Sequence, residues 1–193
     1  MEELILIGGG GHCRSCIDVI ETEQKFRIAG IIDKPEKISE EILGYRIIGT
    51  DDQIKQLIPR YRYFLVTVGQ IRVTEIRKNI FEQTLALGGE LPVIISPTAY
   101  VSRHTQIGAG TIIMHGCVVN AGAVIGKNCI INSNALIEHD SVVGDHCHVA
   151  TCAIVNGGVV VGEGSFIGSG AVTKQYTILP KHSFVKAGTL FKG

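Results

Sequence analysis

From Ile95 onward, aliphatic residues recur at every sixth position. Cutting the chain there gives sixteen consecutive hexads ending at Leu190, with no insertion. The first position runs Ile95, Val101, Ile107, Ile113, Val119, Ile125 and on to Val185; fifteen of the sixteen are aliphatic, and Thr173 is the exception. The fifth position, from Ala99 to Thr189, holds nothing larger than valine. A short fixed period kept over so many units marks a solenoid, in which each unit buries its apolar face only against its neighbours. The pattern predicts a triangular parallel β-helix whose coils consist of three hexads, or 18 residues. The aliphatic position fills the interior, the small position fits the corner, and successive coils pair strand on strand about 4.8 Å apart. Sixteen hexads make five coils and one extra side, and Thr173 marks the place where the last coil is expected to loosen. Cys117, Cys129 and Cys147 fall at the small position and read as packing residues.

The residues before this array have a different rhythm. Glu3–Ile7 is an apolar strand closed by Gly8-Gly9-Gly10-Gly11, and His12–Thr22 carries Cys13, Cys16, Ile17 and Ile20 at helical spacing. Arg27–Ile32 reads as a strand ending at Asp33, and Ile47-Ile48 as a short third strand. Thr50–Leu57 reads as a helix capped by Thr50 or Asp51. Tyr63–Val68 is a further strand closing on Gly69, and Thr74–Leu87 a helix ending at Gly88-Gly89. Strands alternating with helices predict a small parallel, Rossmann-like α/β sheet. The period changes near Gly89–Pro92, so residues 1–90 are expected to form the α/β domain and 91–193 the β-helix.

Composition narrows the function. The chain has 24 glycines, no tryptophan and 45% hydrophobic residues, which suits short strands and tight turns. Eighteen basic residues balance eighteen acidic ones, so no single-signed field attracts nucleic acid or an anionic membrane. No apolar stretch approaches the roughly 20 residues of a membrane-spanning helix. Met1-Glu2-Glu3 offers no basic n-region, so no signal peptide is read. Six cysteines in that context suggest reduced thiols and a cytoplasmic protein.

The glycine run sits between a strand and a helix, where free N–H groups at the helix N-terminus can cradle a phosphate; a tight turn would explain it equally well. Cys13-Arg14-Ser15-Cys16 is a C-x-x-C at a helix start, which could lower a thiol pKa. It has no second pair for zinc and overlaps the glycine loop, so a redox or metal role is disfavoured. His115 and the His146-x-His148 pair lack a third ligand at a familiar spacing, and no metal is expected. His104, His115, His146 and His182 read as surface residues.

The hexads resemble the hexapeptide-repeat acyltransferases, whose coils are left-handed. The whole chain is similar to one branch, the sugar O- and N-acyltransferases that include sialic acid O-acetyltransferases and nucleotide-4-amino-sugar N-acetyltransferases. The resemblance is carried by Gly8-Gly9-Gly10-Gly11-His12, Asp33 after the second strand, Ile137-Glu138-His139-Asp140, Asn132 upstream and His148 downstream. It implies a homotrimer that binds acyl-CoA between adjacent subunits. It makes His139 the proton acceptor with Asp140 as its partner, and it favours Gly157 as oxyanion donor. Gly10, Gly11 and His12 would meet the diphosphate and sugar of a nucleotide-sugar, and Asp33 the base or ribose, with Lys34, Gly69 and Asn132 also on the substrate side. His148, Gly168 and Ser169 would meet CoA. Lys34 stands where some relatives are acidic, so the base stays open. The chain is about one coil shorter than some relatives after Gly168-Ser169-Gly170, and its end, Lys186–Leu190, lacks their Gly-x-Pro-Ala segment.

Acyl transfer from a thioester needs a base for the incoming amine or hydroxyl and donors for the tetrahedral oxyanion. Imidazole exchanges a proton near neutral pH, which suits His139 to the first task. Register supports the second, because one coil beyond His139 lies Gly157, whose N–H has no side chain in the way. The expected activity is acetyl-CoA-dependent N-acetylation of a 4-amino-4,6-dideoxy sugar on UDP, dTDP or GDP in bacterial glycan biosynthesis. Three alternatives stay open: O-acetylation of a sialic-acid-like sugar, an NAD(P)-binding module fused to a structural β-helix, and a non-catalytic scaffold. The second draws on Asp33 lying about 20 residues beyond the glycine loop; against it, Cys13 fills the last glycine position of that fingerprint.

Overall fold

The computed structural model describes every residue except Val73. The chain divides into two compact units: Met1–Gly69 with Glu75–Pro92, and Gln70–Thr74 with Val93–Gly193. The boundary therefore falls at Pro92 rather than after residue 90. A short segment from the middle of the α/β sequence also belongs to the second unit. Periodicity carries no signal for that exchange, because the segment is too short to have a period.

The first unit runs β1 (Glu2–Ile7), α1 (Gly11–Glu23), β2 (Phe26–Asp33), β3 (Glu41–Ile42), β4 (Tyr45–Thr50), α2 (Ile54–Leu57), β5 (Tyr63–Val66) and α3 (Glu75–Ala86). The sheet order is β3-β4-β2-β1-β5, parallel except for the β3–β4 hairpin. Leu4 to Ile7 of β1 are fully buried, as expected for an inner strand of a parallel sheet. Ile5, Ile7, Ile32, Ile54, Phe64 and Phe81 share one apolar core.

Two expected elements differ in detail. The third strand is longer than Ile47-Ile48, because its first half pairs with Glu41–Ile42 across a Leu43-Gly44 turn. Both turn residues have positive φ (51° and 85°), as a two-residue hairpin of this twist requires. Leucine is an unusual occupant there, so the turn has no sequence signature. The helix expected from Thr50 opens as a 3₁₀ turn over Asp51–Gln53 and is α-helical only over Ile54–Leu57; Gln53 Oε1 accepts the Thr50 N–H at 3.0 Å.

The second unit is a left-handed parallel β-helix. Two-residue strands stack into three flat faces of six, five and six strands, and each residue pairs with the one 18 positions on, as in Val119↔Ile137↔Val155. The first face runs from Tyr100–Val101 to Leu190–Phe191, the second from Gln106–Ile107 to Ile178–Leu179, and the third from Ile94–Ile95 to Phe184–Val185. Every first-position side chain from Ile113 to Val185 is buried. Truncating one of them, Ile137→Ala for example, should cost about 2–5 kcal/mol. The pairing of Leu190–Phe191 adds a strand beyond the sixteen hexads.

From Gly110 onward the fourth hexad position turns the corner in the left-handed region, with Asn128, Asn134, Asp140, His146 and Cys152 at φ of 53° to 58°. Gly, Asn and Asp tolerate that region best, which explains their frequency at this position. At another corner Gly108, Gly126, Gly144 and Gly162 form a column. A Cβ on any of them would approach the next coil's backbone to between 2.5 and 2.7 Å.

Thr173 does not loosen the last coil. It is fully buried, pairs with Phe191, and its hydroxyl accepts the Asn156 N–H at 3.0 Å. A threonine closely matches valine in shape, and here its extra polar atom has a partner. The bridge Val155↔Thr173 is the only pairing lost at that point, since Ile154↔Val172 persists.

Candidate active site

His139 and Asp140 occupy the turn between the strand Leu136–Ile137 of the first face and Val142–Val143 of the second. Asp140 takes its φ of 58° from the corner geometry, and this sets its carboxylate beside the preceding imidazole. His139 Nδ1 lies 2.9 Å from Asp140 Oδ2. An ionised carboxylate only accepts, so the proton of this contact sits on Nδ1 and the Nε2 lone pair is left for chemistry. Nε2 faces the next coil: a Cβ placed on Gly157 would lie 2.7 Å from it. Gly157 is buried, and its N–H donates to no acceptor among the described residues. Glu138 turns aside, its Oε2 accepting from Asn120 Nδ2 at 2.9 Å. A base with its Nε2 lone pair available thus lies one coil away from a glycine whose amide N–H is unused among the described residues.

Asn132 and His148 form a second group on the third face. Asn132 Nδ2 lies 3.2 Å from His148 Nε2, and His148 Nδ1 lies 2.6 Å from the Gln70 carbonyl. His148 is only 8% exposed, so it is neither a surface histidine nor open on both ring nitrogens. Its ring meets Phe166 edge to face at 5.2 Å. His146 is also buried, with Nδ1 2.9 Å from Asn128 Nδ2, which corrects its expected surface placement. His115 is half-buried, with Nδ1 2.6 Å from Ser96 Oγ. His104 and His182 are exposed as expected.

In the first unit the glycine loop borders a cavity of about 280 Å³, with Asp33, Lys34, Lys37, Asp51 and Gly69 on its wall. The four glycines serve different ends. A Cβ on Gly8 would meet Val68 at 2.5 Å, and one on Gly9 would meet Ile42 at 2.6 Å and Asp33 Oδ2 at 2.9 Å. A Cβ on Gly10 or Gly11 would meet nothing within 4 Å. Packing therefore explains the first pair, whereas no neighbour within 4 Å restricts the second. Asp33 accepts from Gly9 N, Lys34 N (both 2.8 Å) and Lys37 Nζ (2.9 Å). Burial pushes its carboxyl up, but Lys37 and the two amides outweigh it and hold the group below its ordinary range. Across the wall, burial first and then the charges of Asp33 and Asp52 push Asp51 up. His12 lies along α1, its Nε2 3.3 Å from Cys16 Sγ.

Two domain families divide the chain between them. The PglD N-terminal domain family matches residues 3–84, and the GMPPB C-terminal domain family matches residues 90–189. The perosamine N-acetyltransferase of Caulobacter crescentus, solved with CoA and GDP-perosamine, is 28% identical with a TM-score of 0.93, over 100% of this chain and 89% of that one. The acetyltransferase domain of PglB from Neisseria gonorrhoeae is 31% identical with a TM-score of 0.92, over 100% of this chain and 92% of that one. That domain has also been solved with acetyl coenzyme A. The chain belongs to the sugar N-acetyltransferase family. UDP-N-acetylbacillosamine N-acetyltransferase of Bacillus subtilis is 34% identical over 120 residues, which are 59% of this chain and 52% of that enzyme. The chain thus spans about half the length of that curated relative.

For this sugar N-acetyltransferase family member, the remaining expected positions separate clearly. Gly168 is buried; its N–H donates to Val185 O, its carbonyl accepts from Ala171 N, and a Cβ would meet Ala187 N at 2.5 Å. It keeps the coil spacing, while its neighbour Ser169 is exposed. Burial pushes the Cys13 thiol up to about 11, and Cys16 is raised further by burial and by Cys13. The C-x-x-C pair is therefore held as thiols, opposite to the lowering a redox role needs. Among the described residues no group of three His, Cys, Asp or Glu is placed to hold a metal ion, and no helix is long and apolar enough to cross a membrane. Gln70 was not legible as a site residue, because it lies outside both periodic patterns.

Proposed function

We propose that the protein transfers the acetyl group of acetyl-CoA to the 4-amino group of a nucleotide-linked 4-amino-4,6-dideoxy sugar in bacterial glycan biosynthesis. The observation that carries this reading is the His139 imidazole, with its Nδ1 proton directed to Asp140 and its Nε2 lying against the side-chain position of Gly157. His139 Nε2 takes the proton as the sugar amine attacks the thioester carbon. The Gly157 N–H holds the oxyanion of the tetrahedral intermediate. Collapse expels the CoA sulfur, which recovers the proton from the imidazolium, so that N-acetyl sugar and free CoA leave and the enzyme is restored. Gly10 and Gly11 receive the diphosphate on the first turn of α1, with His12, Asp33, Lys34 and Gly69 around the remainder of the nucleotide-sugar. His148 and Ser169 serve the acyl-CoA side, and Asn132, expected on the substrate side, is read as bordering both because it contacts His148. The names of the relatives favour N- over O-acetylation, since they act on perosamine and bacillosamine derivatives. An NAD(P) role is disfavoured, because Cys13 fills the last glycine position of the dinucleotide fingerprint.

The working form is a homotrimer in the cytoplasm. Side chains facing out from the first face are Tyr100, Val118, Leu136, Ile154, Val172 and Leu190, and Tyr100 and Leu190 are 60% and 55% exposed. The second face shows Val142, Val160 and Ile178. These apolar faces meet at the corner that carries His139, so a neighbouring copy would cover them and wall the crevice. His139 and His148 lie on different parts of the triangle, and a second copy is what would bring a His139 corner to a His148 face.

The test is CoA release from acetyl-CoA in the presence of GDP-, UDP- and dTDP-linked 4-amino sugars, with free nonulosonic acids as comparison, and light scattering for the trimer. Turnover with an amino-sugar nucleotide and none with the free acids is expected. Turnover only with the free acids would move the assignment to O-acetylation. Inactivity on every acceptor, with His139 freely replaceable, would favour a scaffold.

A further inference from the structure

Two contacts of His148, with Gln70 and Asn132, fix the positions of their own protons. The Gln70 carbonyl can only accept, so the His148 nitrogen 2.6 Å from it, Nδ1, bears hydrogen. At the other end the Ser133 amide can only donate, so the Asn132 atom 2.8 Å from it is the carboxamide oxygen. The Asn132 nitrogen then faces His148 Nε2 and donates to its lone pair at 3.2 Å. Two main-chain groups thus polarise a continuous chain from Gln70 through His148 to Asn132. Protonation of Nε2 would set N–H against N–H, so the geometry casts this imidazole as a group that orients its neighbour.

Gln70 is itself anchored. It is 3% exposed, and its Nε2 donates to the His146 carbonyl at 2.8 Å. Its Oε1 is buried without a partner among the described residues. An unsatisfied buried oxygen costs stability and calls for an explanation. The useful half of the side chain is the N–H that pins the segment to the β-helix. Beside it, Arg72 lies over the Phe184 ring at 5.3 Å, at the end of the aromatic row His148, Phe166, Phe184.

We propose that Gln70 is a positioning residue: its anchored carbonyl holds His148 in the Nδ1–H tautomer, and His148 Nε2 in turn aims the Asn132 carboxamide, leaving the second Asn132 N–H for the thioester carbonyl of acetyl-CoA. This rests on the acetyl-transfer reading above, and the test separates the two.

Nitrogen-15 NMR of histidine-labelled wild-type protein is expected to show His148 as the Nδ1–H tautomer; an Nε2–H tautomer or a doubly protonated ring overturns the proposal. In Gln70→Met, which keeps the bulk and removes the anchoring N–H, the tautomer signature should be lost. Its kcat should fall between about 10- and 100-fold, with the KM for nucleotide-sugar unchanged, as expected when an acyl donor is misaimed. In an Asn132→Ala background the same substitution should cost nothing further, because the aimed group is gone. Additive losses, or a Gln70→Met enzyme with unchanged tautomer and kcat, overturn it. An Nδ1–H tautomer that depends on Gln70, in a protein inactive toward every amino-sugar nucleotide, supports the orientation and sinks the acetyl-transfer reading instead. Should Gln70→Met fail to fold, the wild-type tautomer alone decides.

Discussion

His139 Nε2 looks across one coil at Gly157, while His139 Nδ1 is held 2.9 Å from Asp140 Oδ2. The relation arises from two simple facts of the fold. Residues 18 apart stack, and the fourth hexad position turns in the left-handed region, which carries the Asp140 side chain toward the residue before it. Several measurable consequences come from this and from the glycine loop.

His139→Ala should fold with an unchanged melting temperature and lose about 1,000-fold in kcat, the usual scale for a lost general base. Asp140→Asn keeps the shape and disturbs the tautomer, and should cost about 100-fold or more. Steady-state rates of CoA release measure both, and full activity in His139→Ala would take that histidine out of the mechanism.

Gly157→Ala places a methyl group 2.7 Å from Nε2, so the imidazole must move off the crevice. Loss of about 100- to 1,000-fold in kcat is expected, within the scale for a displaced general base. Circular dichroism and melting should change little, since the methyl meets a half-exposed side chain rather than backbone. A variant that turns over normally would show that the imidazole need not lie against this residue.

Gly11→Ala is a case where stability and binding should part. The position is open to solvent and lies in the first turn of α1, so alanine should stabilise by about 0.5–1 kcal/mol. If the nucleotide-sugar diphosphate approaches this amide, its affinity should fall roughly tenfold, about 1.4 kcal/mol. Calorimetric titration beside a thermal melt reads both. Unchanged affinity would move the phosphate elsewhere.

Asp33 gives the protein an acid limit. Its carboxyl is held below its ordinary value of 3.8 when folded, so between the two values the unfolded chain binds more protons. The stabilisation is complete above the unfolded value and is lost as pH falls through the folded one. Asp33→Asn removes the effect. Urea unfolding should show a stability gap between wild type and variant that is constant above about pH 5 and narrows below it. A gap that stays constant down to pH 3 would show that the carboxylate contacts contribute nothing.

Cys152 is exposed, whereas the other five cysteines are buried and Cys13 is raised to about 11. At pH 8 a disulfide reagent should label one thiol rapidly and the rest only after unfolding. Cys152→Ser should abolish the fast phase.

The sequence by itself determined the triangular β-helix, because a six-residue period with a filled interior closes in threes, and the small-residue corners exclude an ordinary sandwich; the left hand of its coils came from the resemblance. It also placed His139 over Gly157, since stacking follows from counting 18. The strand–helix alternation of the first unit was equally plain, as were its inner strands, whose apolar runs admit burial on both sides. Other features had no local signal. The Leu43-Gly44 hairpin uses an unfavoured residue in its turn. Thr173 looked like a defect because a hydroxyl reads as polar until its partner is known. The division of labour within the glycine run, two for packing and two left open, depends on Val68 and Ile42, which come from distant parts of the chain. Gln70 became visible only when its short segment was found lying on the β-helix. Periodicity reports which way a residue faces within a repeating element. Hydrogen-bond polarity between residues 78 positions apart, as between Gln70 and His148, exists only once the tertiary structure has brought them together.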